Sequence, residues 1–330
     1  MAKDHYLTYC TISNKKGVIL KSFDGLRCLY LENGSVISSG VDFLQMHDKE
    51  MNLLWKKNIH THHLMNSSLD KKHILVMTST IHKDEKTQTS ERFDKLSLYN
   101  LKGEELRSFD YYKNQKALNS IVPSELSSVW RNKEIGAFNK VWKVEIERSH
   151  ANSFYEIDNN KASVKNKAFS KGNYIVNSAD NIGTFVLDSK LEKILWHMPI
   201  KQSRENEIFH DARVLSSGDI SLYHNRSGKN YSEIKLYNPI TKKMKSLLKG
   251  SPPESFASLE CCGSAEILDN GNILSTIYIK GGHVVELNSK GKILWRFPGP
   301  HINPQTQTPF PIQGVRLEDL DLFLSNNQGF

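Results

Sequence analysis

The chain repeats itself, and the repeat is the feature that most restricts what it can fold into. EILDNGNILSTIYIKGGHVVELNSKGKILWRF (266–297) reads as four short apolar runs separated by Asn-Gly, Gly-Gly and Ser-Lys-Gly turns. Asn270-Gly271 and Lys290-Gly291 suit the tight connections of antiparallel strands, where central residues need positive φ. In the last run Ile293, Trp295 and Phe297 alternate onto one face. The same unit returns at 30–58, which ends in NLLW, and at 172–198, which ends in KILW. It returns again at 213–248 without the tryptophan and at 67–109 with a longer inner loop. Trp55, Trp196 and Trp295 fall at one phase of the repeat, three units and then two units apart.

Four short strands recurring every roughly 45–55 residues are the signature of a propeller blade. The expectation is therefore an all-β chain, a β-propeller, with five units visible and room among 330 residues for a sixth. The whole chain, 1–330, is read as one propeller domain of six four-stranded blades, closed by N-terminal strands pairing with the C-terminal region. Segment 111–149 breaks the pattern and reads as a partly helical insertion over one face, with a helix start at Pro123 and Glu125. Residues 298–330 open with the proline-rich PGPHINPQTQTPFP and read as a non-helical tail draped across the propeller. The tryptophans at the ends of last strands read as packing between blades.

Charge and cysteine content exclude some partners. Lys and Arg (44) outnumber Asp and Glu (36), but the excess is scattered over turns such as NKKG and ITKKMK, so no nucleic-acid surface is expected. No apolar run reaches the roughly 18 residues of a membrane span. MAKDHYLTYC lacks the apolar stretch of a signal peptide, which leaves the cytoplasm open alongside export. Cys10, Cys28, Cys261 and Cys262 match no metal spacing and read as core thiols ahead of a Cys10–Cys28 disulfide. In CCGS (261–264), Cys262 and Ser264 read as small buried residues, and His283 as a surface residue.

The histidines follow the repeat. His210 lies five residues before Leu215, at the turn of its blade, and Asn152 lies five before the corresponding Ile157. His150 lies seven before Ile157, and His62 and His63 lie seven and six before Leu69. All sit at the entrance to a first strand, the strand that lines a propeller's central channel, so imidazoles from three blades converge near the axis. Two chemistries suit such a cluster. Neutral imidazoles ligate transition metals, or one acts as nucleophile while its neighbours stabilise an oxyanion. Spacing leaves both open, with Asp211 expected to point away.

HANS, HDARVLSSGDISLYHN, GSAEILDNGNILSTIY and, more weakly, THHLMNSSLDKKHILVM resemble the blade motifs of the bacterial arylsulfotransferase family. The resemblance spans about 15–300. It implies a six-bladed propeller that moves a sulfuryl group from a phenolic sulfate ester to a phenol acceptor, with no nucleotide donor and no cofactor. It places the sulfuryl-accepting histidine at His210, the His-x-Asn pair at His150 and Asn152, and an earlier histidine at His63 or His62. It also implies export to the periplasm. Two positions depart from it. The family's arginine after the His-x-Asn motif is missing from VNSADN (176–181), and His224 in YHNR replaces an aspartate. Arg213, Arg148 or Arg316 are the candidate replacements for the guanidinium. The alternatives to sulfuryl transfer are a non-catalytic propeller that binds an anion or a protein, and a histidine-ligated metal enzyme. A pyrroloquinoline quinone propeller is not expected, because the tryptophans close last strands.

Overall fold

A computed structural model describes residues 9–13, 19–25, 27–122, 142–198, 209–225, 230–251, 256–258, 263–277, 283–298, 302–303 and 308–309. The turns expected from sequence close the hairpins with one recurring bond. Gly34 donates to Leu31, Gly103 to Asn100, Gly218 to Leu215, Gly271 to Leu268 and Gly291 to Asn288, each backbone to backbone across three residues.

These hairpins build five four-stranded antiparallel blades. A first hairpin, β1 (Tyr9–Ser13) and β2 (Ile19–Asp24), precedes them and stands beside blade 1. Blade 1 is β3 (Arg27–Tyr30), β4 (Val36–Ser39), β5 (Leu44–His47) and β6 (Leu53–Lys57). Blade 2 is β7 (Thr61–Ser67), β8 (His73–Lys83), β9 (Ser90–Asn100) and β10 (Glu105–Asp110). A fifth strand, β11 (Ile146–Glu147), joins β9 in parallel. Blade 3 is β12 (Ala151–Glu156), β13 (Tyr174–Ser178), β14 (Gly183–Leu187) and β15 (Ile194–His197). Blade 4 is β16 (Phe209–Val214), β17 (Ile220–His224), β18 (Ser232–Tyr237) and β19 (Met244–Gly250). Blade 5 is β20 (Ser264–Ile267), β21 (Ile273–Ile277), β22 (His283–Leu287) and β23 (Ile293–Pro298). The last pair is β24 (Ile302–Asn303) with β25 (Thr308–Pro309).

The first strands β3, β7, β12, β16 and β20 touch one another in succession, so they line the axis. Among the described residues the blades number five, against the expectation of six. Among the described residues the terminal strands form two two-stranded pairs, β1 with β2 and β24 with β25.

Blades adhere through both faces, which is why the inner strands read as unbroken apolar runs. On β8, Ile74 and Val76 pack on Leu31, Ile37, Leu44 and Met46 of blade 1. The alternate Leu75 and Met77 pack on Phe154, Val176 and Phe185 of blade 3. Ile175 and Val186 of blade 3 then meet Phe209, Ile220 and Leu222 of blade 4. Tyr223 and Ile234 of blade 4 meet Ile273, Val285 and Leu287 of blade 5.

Trp55 and Trp196 act between blades, whereas Trp295 packs on Leu268, Leu274 and Val284 of its own blade. Trp55 donates its indole N–H to the Leu101 carbonyl of blade 2 at 2.9 Å. Trp196 lies 5.0 Å from Phe169 and 6.2 Å from Tyr237 of blade 4, between ring centroids.

The insertion opens with α1 (Gln115–Ile121), which buries Leu118. The helix expected from Pro123 onward lies outside the described residues, as do Cys261, Cys262 and Arg316 and most of the tail. Cys28 corrects the expectation of core thiols: it is disulfide-bonded, and β1, the strand carrying Cys10, packs against its strand. Its thiol therefore does not serve as a small core hydrophobe. No helix among the described residues is long and apolar enough to cross a membrane.

Candidate functional site

The first strands of blades 2, 3 and 4 share a defect. Their pairing slips between Thr61 and Met65, between Ala151 and Ser153, and between His210 and Arg213. A bulge leaves residues unpaired and re-aims their side chains. Two residues within these bulges, His63 (φ 49°) and Asp211 (φ 53°), adopt the left-handed backbone that non-glycine residues seldom take. The five residues singled out from sequence, His62, His63, His150, Asn152 and His210, therefore sit in or beside bulges at the start of three consecutive first strands.

Hydrogen-bond partners fix where the imidazole protons are. His62 Nε2 stands 2.9 Å from Asp94 Oδ1 and 3.1 Å from the Thr78 carbonyl oxygen. Both are acceptors, so Nε2 carries the proton and Nδ1 of the neutral ring accepts. His63 Nδ1 is 2.8 Å from that acceptor, so it donates and the lone pair of His63 resides on Nε2. Burial holds both rings neutral, with the Arg92 charge adding to the effect on His62 and the His150 ring adding to it on His63. The pKa of His62 is pushed down to about 4 and that of His63 well below the ordinary value.

His150 donates Nδ1–H to Glu147 Oε1 at 2.6 Å. His210 Nδ1 lies 2.5 Å from Asn225 Oδ1, and the amide nitrogen of Asn225 donates to the Ser258 carbonyl. The Asn225 oxygen is thereby an acceptor and His210 Nδ1 the donor. In their neutral forms, His63, His150 and His210 all hold the lone pair on Nε2. The rings of His63 and His150 meet edge to face at 4.6 Å, and His210 is near enough to His63 to act on its charge state.

A buried ionic frame stands behind these rings. Arg92 binds Asp94 at 2.6 Å and also Glu147. Asp94 further accepts from the backbone N–H of Ala151 at 2.6 Å, tying blade 2 to blade 3. Burial alone would raise the Asp94 carboxyl, but Arg92 and His62 outweigh it and hold it below the ordinary carboxylate range. Trp142, where the chain returns from the insertion, stacks on His60 at 5.1 Å and lies under the Arg92 guanidinium at 5.2 Å. The returning insertion thus roofs the blade-2 side of the cluster.

The other expected residues have different surroundings. Asn152 is engaged in structural bonding: its nitrogen donates to the Phe209 carbonyl of blade 4, and its oxygen accepts from Asn177 of its own blade. Arg213 is held by Asp211 and Glu266, with Tyr155 beside it, and Arg148 by Glu91. Asp211 points into the seam between blades, as expected from sequence, and accepts from the Ala265 N–H of blade 5. Ala179 places no charge where the resembled family has its arginine. His224 is buried with neither ring nitrogen hydrogen-bonded among the described residues, and burial pushes its pKa down to about 4.

Sequence reasoning missed Asp94, Arg92, Glu147, Asn225 and Arg27. Of these, only Asn225 lay within a quoted motif.

No protein-family model matches the chain, and no curated protein matches its sequence. Among solved structures, a Bacteroides caccae protein of unknown function gives a TM-score of 0.53 at 14% identity, covering 89% of this chain and 90% of that one. TolB from Acinetobacter baumannii gives 0.45 at 11% identity, covering 86% and 55%. An oligogalacturonate lyase from Vibrio parahaemolyticus gives 0.46 at 9%, covering 88% and 71%. With the Bacteroides caccae protein, what is shared is the fold alone.

The site's chemistry follows from its proton inventory. Imidazoles with the lone pair on Nε2 and the opposite N–H pinned are set up as nucleophiles or proton acceptors. Among the described residues, no group of three His, Cys, Asp or Glu side chains is arranged to hold a metal ion.

Proposed function

We propose that the cluster transfers a sulfuryl group between phenols, with His210 as the group that carries it. His210 Nε2 attacks the sulfur of an aryl sulfate, the S–O(aryl) bond breaks, and the phenolate leaves. The new N–S bond makes a sulfo-imidazolium whose Nδ1–H rests on Asn225. An acceptor phenol then gives its proton to a neighbouring imidazole. Its oxygen attacks the sulfur, and the N–S electrons return to His210. His63, whose neutral ring holds its lone pair on Nε2, and His150, whose Nδ1 faces Glu147, are the candidates for that base.

One observation carries the reading: histidines from three consecutive blades meet at the bulged starts of their first strands, with His210 Nδ1 tied to Asn225 Oδ1 at 2.5 Å. The motif resemblance at HDAR and HANS supports the choice of reaction. The disulfide at Cys28 agrees with an oxidising compartment. The Asn152 position supports a structural role for that residue, as the strut that holds the Phe209 carbonyl next to His210.

The test is release of 4-nitrophenolate from 4-nitrophenyl sulfate, with and without phenol, by the wild type and His210→Ala. Release that requires both phenol and His210 is expected. Folded wild-type protein that releases none, or His210→Ala that releases as much, overturns the proposal. In that case a propeller that binds an anion without turning it over becomes the better account.

A further inference from the structure

Every other arginine described so far in the inner part of the propeller has a carboxylate. Arg92 has Asp94 and Glu147, Arg213 has Asp211 and Glu266, and Arg148 has Glu91. Arg27, at the start of β3, has none among the described residues. Its Nη1 is sealed from solvent and makes no hydrogen bond among the described residues. Burial alone, with no acid to offset it, lowers its pKa to about 10. A buried guanidinium nitrogen without an acceptor is costly, and a bound anion is one thing that would complete it.

The position of Arg27 indicates what completes it. Strand β3 stands beside β7, and the Arg27 charge reaches His63, helping to keep that imidazole neutral. Arg27 therefore brings a positive charge from blade 1 to the cluster that blades 2, 3 and 4 supply. A guanidinium presents its N–H groups in a planar fork suited to the oxygens of a tetrahedral oxyanion. One unpaired positive charge matches the single negative charge of a sulfate monoester better than the double charge of a phosphate monoester. The Ala179 position, where the resemblance leads one to look for an arginine, holds none.

We propose that Arg27 is the anion-binding residue of the site, its Nη1 donating to a non-bridging oxygen of a sulfate monoester seated beside His63. This rests on the sulfuryl-transfer reading for the identity of the ester, but the binding step does not need turnover.

The experiment keeps the two apart by working in a His210→Ala background, where transfer is disabled. Binding of 4-nitrophenyl sulfate to His210→Ala is measured by titration calorimetry and compared with His210→Ala/Arg27→Gln and His210→Ala/Arg27→Lys. Loss of a charge-assisted donor should weaken binding about 10- to 100-fold in the Gln variant, with partial retention in the Lys variant. Thermal melts add a readout that a purely structural arginine would not give. Without anion, Arg27→Gln should melt no lower than its parent, because it removes an unpaired buried charge. It should also lose the rise in Tm that sodium sulfate gives the parent beyond sodium chloride of equal ionic strength. Equal affinity in the Gln variant, or an unchanged sulfate-induced rise, overturns the proposal. Tighter Arg27-dependent binding of 4-nitrophenyl phosphate overturns the assignment to sulfate esters. Arg27-dependent binding together with a failed transfer assay leaves the anion seat standing and removes only the catalytic reading.

Discussion

Asp94 is the residue whose loss should tell most about how the site and the fold depend on each other. It is fully buried and binds His62 at 2.9 Å, Arg92 at 2.6 Å and the Ala151 N–H of the next blade at 2.6 Å. Asp94→Asn keeps the shape but removes the charge, so each bond drops from the charge-assisted class, about 1.5–3 kcal/mol, towards about 1 kcal/mol. It also replaces one acceptor oxygen with a donor that faces donors. Breaking a buried pair from one side costs about 3–5 kcal/mol, and that is the predicted loss. At about 2 °C per kcal/mol for a chain of this size, Tm should fall by roughly 6–10 °C.

The assay is thermal and urea unfolding of wild type, Asp94→Asn, Arg92→Met and the double variant. Each single change strands a charge that the double change removes. The double variant should therefore be about 1–3 kcal/mol less destabilised than the sum of the singles. The pH dependence has a definite sign. The Asp94 pKa is lower folded than its unfolded value near 3.8, so its contribution is present above that pH and fades as pH falls below it. The gap between wild type and Asp94→Asn should close in strong acid. Asp94→Asn within about 1 kcal/mol of wild type at neutral pH, or strict additivity with Arg92→Met, would refute the frame described here.

Other expectations concern protonation and the joints between blades. His62 and His224 stay neutral in the fold until about pH 4, whereas the unfolded chain protonates them near 6.5, so stability should fall as pH drops through that window. His224→Leu, which removes a buried imidazole with no hydrogen bond, should raise Tm and flatten that acid limb; a lower Tm would contradict the burial argument. Trp55→Phe loses the bond to the Leu101 carbonyl and should cost about 1 kcal/mol in urea unfolding, with Trp55→Ala costing about 3–5 kcal/mol. Gly103→Ala should also destabilise, by about 1 kcal/mol or more, because Gly103 has φ 78° and a Cβ there would stand 2.8 Å from the Trp55 ring. Asn177→Ala removes the donor shared by Asn152 and the Phe209 carbonyl, and should cost about 2 kcal/mol by the same measurement.

The repeat made the architecture legible because each blade carries its own turns and its own alternation. Asn270-Gly271 and the KILW endings mark the hairpins and last strands that the structure contains. The expectation of a sixth blade rested on leftover length rather than on a sixth copy of the motif, and the described residues form five. Phase along the repeat gave the convergence of His62, His63, His150 and His210. It could not give their partners, because Asp94, Glu147 and Asn225 reach them from other strands of the same or neighbouring blades. Arg27 was invisible for a related reason: RCLY has no motif around it, and only its placement beside β7 brings its charge to His63. Arg213 and Arg148 looked equally suitable in sequence, but each has a carboxylate within reach that sequence distance conceals.

The most direct test of the account is to mix the protein with 4-nitrophenyl sulfate without acceptor, quench at alkaline pH where sulfo-histidine survives best, and map the added sulfuryl mass by peptide mass spectrometry. The account predicts one sulfuryl group on the peptide containing His210, absent from His210→Ala and discharged by phenol. A modified His63 or His150 with His210 untouched, or no modification in protein that binds the ester, would contradict it.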